Sequence, residues 1–178
     1  MGIPTLISTH TASDAASVDI TSGIDSTYDE YMFVFTDINP ATNGATFQFQ
    51  VNATGESDFD ETMTTTYFEA YHAEADNSNG VVYKTSGDQA QGTAYQQLAR
   101  ATGNGADECS AGILHLFSPS NTTYVTHFYS RLSVHKNEPC VLDCYVAGYI
   151  NITAAVDEIS FKMSTGNLDG VVQLYGIA

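Results

Sequence analysis

The sequence predicts an all-β protein, an antiparallel two-sheet β-sandwich with jelly-roll-like character. From residue 31 onward, short runs of β-branched and aromatic residues succeed one another, separated by clusters of Pro, Gly, Asn and Ser. Several runs alternate apolar and polar residues, as at Phe47, Phe49 and Val51, which is typical of a strand with one buried face. We therefore expect about ten or eleven strands, essentially no amphipathic helix and one domain over residues 1–178.

The first 22 residues are predicted to form edge strands or an N-terminal arm. Residues 5–10 and 17–21 have the composition of short strands, and the turn-forming residues 11–14 separate them. The chain before residue 8 is apolar and could dock on another surface or form an ordinary first strand. The residues predicted to dock are Ile3, Pro4, Leu6 and Ile7.

Residues 31–38 form a nearly continuous apolar run, which predicts a central strand covered on both faces. Residues 39–44 then supply a proline and an Asn-Gly pair, both of which favour a turn. The alternating residues 46–52 follow this turn. We expect the two strands to pair as a hairpin.

Residues 64–75 predict a long strand whose buried face the pattern leaves open. Tyr67 and Glu69 point to one side and Phe68 to the other, so either side could face the core. Turn-forming residues follow, and residues 81–83 are expected to return as the second strand of a hairpin.

The rest of the chain continues the strand pattern, with one ambiguous segment. Residues 89–101 contain helix-tolerant residues but lack clear periodicity, so a short helix or a strand is expected there. The later predicted strands are residues 112–117, 124–134, 143–150, 159–163 and 171–177.

The charge balance excludes some classes of partner. The chain has 5 Lys+Arg against 21 Asp+Glu, a formal net charge of -16. Such a chain repels phosphate backbones and anionic lipid headgroups, so we expect neither nucleic acid nor a membrane as a partner. No apolar run approaches the ~18 residues of a membrane helix, and the first residues lack the features of a secretory signal.

No motif in the sequence predicts a reaction. The five histidines stand outside ligand motifs, and Cys140 and Cys144 have neither zinc-site spacing nor a geometry for a disulfide in one strand. The acidic residues 56–61 lack the pattern of a calcium loop and are expected to be solvated, an adventitious cation site being the alternative. We expect no catalytic residues, no metal site and no cofactor, and therefore no enzyme.

Six segments of turn and strand residues carry a resemblance that spans nearly the whole chain. They are STYDEY at 26–31, DINPAT at 37–42, GNGADE at 103–108, LHLFSPS at 114–120, AGYIN at 147–151 and LYGI at 174–177. With these segments the chain resembles a family of small β-sandwich structural proteins of tailed phages, especially marine and cyanobacterial ones. The resemblance implies a component of the virion, made in the host cytoplasm.

The resemblance implies a role in attachment. The leading hypothesis is a capsid decoration (cement) protein that binds the outside of the major capsid lattice as a homotrimer, with the major capsid protein and its own copies as partners. One alternative is a tail-fibre or spike domain that recognises host surface glycans through exposed Tyr, Asn and Asp. A third hypothesis, which the lack of a catalytic motif disfavours, is a glycan-degrading enzyme.

Overall fold

The protein is described here by a computed structural model that covers residues 2–178, and within that range it contains strands and no helix. The strands pair antiparallel throughout and form two sheets that pack face to face, which confirms the predicted antiparallel β-sandwich. The thirteen strands of this range are β1 (Thr5–Ala15), β2 (Val18–Ile20), β3 (Glu30–Pro40), β4 (Ala45–Ala53), β5 (Met63–Ala73), β6 (Asn79–Tyr83), β7 (Ala90–Gly92), β8 (Gln96–Thr102), β9 (Ser110–Phe117), β10 (Thr126–His135), β11 (Cys140–Ile150), β12 (Val156–Met163) and β13 (Leu168–Ile177).

The two sheets differ in width. The large sheet has the order β1-β13-β3-β9-β10-β11-β5-β6, with the short β7 also paired to β5. The small sheet has the order β2-β12-β4-β8. The first two strands of the chain therefore border different sheets, β1 the large one and β2 the small one. Jelly-roll-like connectivity stays a prediction.

Aromatic side chains hold the two sheets together. The ring of Phe161 in the small sheet lies 5.5 Å from that of Phe33 and 5.1 Å from that of Phe35 in the large sheet. Phe47 joins the same cluster, 5.2 Å from Phe35. All four side chains are fully buried, so each contributes the burial of a whole ring to stability.

The predicted hairpin of residues 31–38 with 46–52 is wrong. β3 lies in the large sheet between β13 and β9, whereas β4 lies in the small sheet between β12 and β8. The turn between them, in which Gly44 has a φ of 79°, carries the chain across from one sheet to the other. An Asn-Gly pair fixes a change of direction but not the strand that pairs next.

The second hairpin is confirmed, since β5 pairs with β6 from Phe68 opposite Tyr83 to His72 opposite Asn79. Asp76 in its turn has a φ of 54°, a left-handed conformation that Asp tolerates. The face of β5 that the sequence left open is settled too. Tyr67 points to the interior, and Phe68 points away from it.

Two local predictions differ from the structure. Residues 11–14 are not a turn, because β1 continues to Ala15 through a register shift between Ala12 and Ala15. Asp14 has a φ of 50° there, and its N–H donates to Asp169 Oδ1 at 2.7 Å, so the turn-forming residues make a bulge within a strand. Within residues 89–101 the chain forms β7 and most of β8, so the helix alternative is wrong.

The width difference leaves part of the large sheet beyond the small one. β8, at the border of the small sheet, contacts β10 and β11 of the large sheet. β5 and β6 lie further along the large sheet and therefore project past that border. The inner side of this projecting part carries one of the two surfaces described below, and the other covers the outward side of the large sheet as a whole.

Candidate functional site

The structure separates the residues predicted to dock. Ile3 and Pro4 precede β1 and are exposed. Leu6 is exposed and pairs with Tyr175 on the outer side of the large sheet. Ile7 is half-buried and packs against the core. Leu6 therefore lies on the larger surface described next and Ile7 on the opposite side of β1, and docking through residues 3–7 stays a prediction.

The side of the large sheet that points away from the small sheet, called the outer face from here on, carries many apolar and aromatic residues. Neither a strand nor a helix of residues 2–178 packs over it. Val81 is 74% exposed, Tyr129 44% and Phe68 40%. The outward positions of its central strands are Glu30, Met32, Val34, Thr36, Thr64, Thr66, Phe68, Ala70, His72, Asn79, Val81, Tyr83, Ala111, Ile113, His115, Phe117, His127, Tyr129, Arg131, Ser133, His135, Val141, Asp143, Tyr145, Ala147 and Tyr149.

β3 shows most clearly how the outer face departs from the sequence prediction. The apolar run at residues 31–38 predicted cover on both faces, and that prediction is wrong for the described chain. Phe33 and Phe35 are buried on the inner side, while Met32 and Val34 on the outer side are only half-buried. The sequence is apolar on both sides, but the fold covers one of them.

The rings of the outer face are ordered by contacts with one another. The His115 ring stacks on Tyr129 at 4.7 Å, and Phe117 lies 5.7 Å from Tyr129. Across the sheet, Phe68 and Tyr145 stack at 4.7 Å with parallel planes. Stacked rings on a sheet lose little further freedom when a partner binds, which favours recognition.

The outer face carries little net charge in a strongly acidic protein. Of the acidic residues, only Glu30 and Asp143 occupy its central outward positions, and each has a basic neighbour. Glu30 hydrogen-bonds His115, and Arg131 donates to Asp143. This hydrogen bond from Arg131 holds the pKa of Asp143 below its usual value. Another surface can approach this face without the repulsion that the remaining surface would impose.

The outer face is large enough for a stable interface. Its six central strands, β3, β9, β10, β11, β5 and β6, hold 56 residues in all, and at about 3.4 Å per residue and about 4.8 Å between strands they cover roughly 900 Å². A standard-sized protein interface uses about 800 Å² from each partner. Apolar and aromatic side chains occupy many of its positions, and contiguous exposed apolar patches of several hundred Å² mark interaction sites.

Shallow depressions interrupt the outer face and continue past one end of it. One, of about 450 Å³, lies over the small side chain of Ala147, between Tyr129 and Tyr149. Another, of about 570 Å³, lies beside the exposed Tyr124 in the loop before β10, with Asn121 in its wall. Both are open and apolar enough to seat a protruding side chain or a sugar ring.

A second cluster lies on the inner side of the projecting part of the large sheet. The Glu69 side chain is 1% exposed and is bound by Arg100 from β8 and by Lys84, whose Nζ lies 3.3 Å from Glu69 Oε1. Burial alone would raise the pKa of Glu69, but the hydrogen bonds and charges of Arg100 and Lys84 outweigh it and lower the pKa below 4.5.

The residues considered for metal or redox chemistry stay apart. No group of three or more His, Cys, Asp or Glu side chains in the described range has the geometry to hold a metal ion. Cys109, Cys140 and Cys144 are free thiols. Over residues 2–178, no helix has the length and apolar character needed to cross a bilayer.

Sequence reasoning missed both surfaces for different reasons. The outer face had a signal, because residues 31–38 and the run before Phe117 are apolar on both sides of a strand. The inner cluster had none, because Lys84, Arg100 and Glu69 are distant in sequence and meet only through strand pairing across two sheets.

Comparison of the chain with protein-family models finds no family that matches. Comparison with curated proteins likewise finds no match. The function proposed below therefore rests on the resemblance of the sequence segments and on the chemistry of the outer face.

Proposed function

We propose that this protein is a phage virion structural protein, a capsid decoration protein that attaches to the outside of the major capsid lattice as a homotrimer. The phage assignment and the trimer rest on the resemblance of the sequence segments given above. The observation that supports attachment is the outer face, which is apolar, weakly charged and of interface size. Its occupant in this proposal is a subunit of the capsid lattice.

The charge distribution fits repeated attachment to a lattice. Nearly all acidic residues lie off the central part of the outer face, so copies bound through it keep their negative charge in solvent, repel further layers and stay in solution when unbound. A trimer that places three outer faces on a symmetric lattice multiplies moderate contacts into firm binding. Such a role requires shape and surface chemistry rather than a reaction.

The alternative of a tail-fibre or spike domain has one supporting observation. The loop pocket beside Tyr124 combines an exposed aromatic ring with the polar side chains of Asn121 and Thr123, a combination that suits sugar rings.

The number of copies in each particle distinguishes the capsid hypothesis from the tail hypothesis. Hundreds of copies in each particle mean a shell protein, and a few dozen or fewer mean a tail protein. A glycan-degrading enzyme would instead turn over host polysaccharide.

Occupancy of purified particles tests the proposed function. Densitometry of particle proteins should give hundreds of copies per particle for the unaltered chain. Tyr129→Glu, which adds a charge in the middle of the outer face, should lower that number at least tenfold. Gln48→Glu adds the same charge on the small sheet and should leave it unchanged. A few dozen copies, or equal losses for both variants, would overturn the proposal.

A further inference from the structure

The inner side of the projecting part of the large sheet gathers most of the basic residues of this acidic chain. The whole sequence has only five Lys and Arg residues. Three of them, Lys84, Arg100 and Lys136, line one open pocket of about 530 Å³. The same pocket is lined by only two carboxylates, those of Glu69 and Glu138. The formal charge of its lining is therefore positive, although the whole protein has a charge of -16.

The pocket is built from well-placed side chains rather than from a mobile rim. Glu69 binds Nε and Nη2 of Arg100 and so holds the guanidinium in one orientation. The side chains of Arg100, Lys84 and Lys136 are 27%, 28% and 19% exposed, so most of each is already withdrawn from water. Folding has already removed most of the water around these cations, so a ligand that binds them loses less free energy to their desolvation.

The cations retain unused hydrogen-bond donors. Within residues 2–178, only Glu69 accepts hydrogen bonds from the side chain of Arg100, so Nη1 keeps both of its donors. Among the described residues, the Lys84 ammonium forms an ion pair only with Glu69, and the Lys136 ammonium only with Glu138. A guanidinium with a free edge is the group that best matches a planar carboxylate.

The other residues that line the pocket indicate the chemistry of the rest of the ligand. Tyr71, Val82 and Leu142 supply an aromatic ring and two aliphatic side chains, and Ser78 and Asn77 supply polar groups. A bare inorganic ion would leave this apolar wall unused. A volume of about 530 Å³ lies within the range of sites for small organic ligands.

We propose that this pocket binds a small organic anion, a carboxylate on a compact polar ring of the size of a sugar acid. Arg100 and Lys84 hold the carboxylate beside Glu69, and Tyr71 packs against the ring. Glu138 competes with the ligand for Lys136. The inference does not depend on where the protein sits in a particle, so its failure would leave the proposed function standing.

Titration of the full chain with D-glucuronate, followed by NMR or calorimetry, tests this site, and D-glucose serves as the uncharged probe. We expect glucuronate to saturate and glucose to bind at least tenfold more weakly. Lys84→Gln should weaken glucuronate binding about tenfold, since it removes one charge-assisted hydrogen bond. Glu138→Gln should strengthen it a few-fold, because Lys136 is released.

Lys162→Gln is the matched control, because Lys162 lies on the small sheet over the Tyr95 ring, away from the pocket. It removes the same charge as Lys84→Gln and should leave glucuronate affinity unchanged. Equal binding of glucuronate and glucose would overturn the proposal. Equal losses in Lys84→Gln and Lys162→Gln would also overturn it, because they would show a response to overall charge rather than to a site.

Discussion

The outward sides of the two sheets differ in polarity. On the small sheet the outward residues are polar, and the chain supplies hydrogen-bond partners for several of them: Gln50 Nε2 donates to the carbonyls of Glu61 and Thr93, each at 3.0 Å, and the Tyr95 hydroxyl donates to Ser160 Oγ at 3.1 Å. On the large sheet the outward residues are largely apolar, and no layer of the described chain covers them.

This difference shows that the residue pattern of the small sheet is explained by folding, whereas that of the large sheet is not. The small sheet alternates apolar and polar residues, which is what a sandwich with one wet side needs. The large sheet adds a second apolar side that the sandwich does not need for its core. We attribute that second side to a partner surface, because an apolar sheet face left in water costs solubility without adding stability.

The largest expected effect is the loss of stability when an aromatic ring between the sheets is removed, compared with the loss when a ring on the outer face is removed. Phe161→Ala should destabilise the protein by about 3–5 kcal/mol, because it removes the ring at the centre of the buried cluster. Phe68→Ala, on the outer face, should cost about 1 kcal/mol or less. Chemical denaturation of the isolated chain measures both. Similar losses would mean that the outer face is part of the core and would break the comparison.

A smaller effect concerns the inner cluster. The pKa of Glu69 lies below 4.5 in the folded protein, so its contribution to stability is present above pH 4.5 and is lost as the pH falls through the lowered pKa. Glu69→Gln should lower the free energy of unfolding at pH 7 by about 1–3 kcal/mol. It should also flatten the acid limb of the stability curve. An unchanged acid limb would show that the ion pairs do not stabilise the fold.

The smallest effect on stability is expected at the outer face. Tyr129→Glu should change the free energy of unfolding by about 1 kcal/mol or less, while lowering the binding of a hydrophobic dye to the free protein several-fold. Gln48→Glu, on the small sheet, should alter neither. If the dye binds both variants alike, the outer face is not the main exposed apolar surface.

Most of the fold could be predicted from strand periodicity and turn residues, because both are local. The pairing of β5 with β6 was predicted because a short turn joins them. The position of β4 in the other sheet was not, because it depends on β12 and β8, which come much later in the chain.

The outer face was partly visible in the sequence as apolar residues on both sides of β3. The pattern could not show that one of those sides lies outside the monomer, since buried and docking surfaces have the same composition. The inner pocket was invisible, because the approach of Lys136 to Arg100 depends on the strand order of two sheets.

Radical footprinting of the protein, free and bound to purified particles, tests most directly whether the outer face is covered in the assembled state. We predict that Tyr129 and Phe68 are modified readily in the free chain and at least several-fold more slowly on the particle. Tyr95, beside the small sheet, should react equally in both states. Unchanged reactivity of Tyr129 and Phe68 on the particle would contradict the assignment of the outer face as the attachment surface.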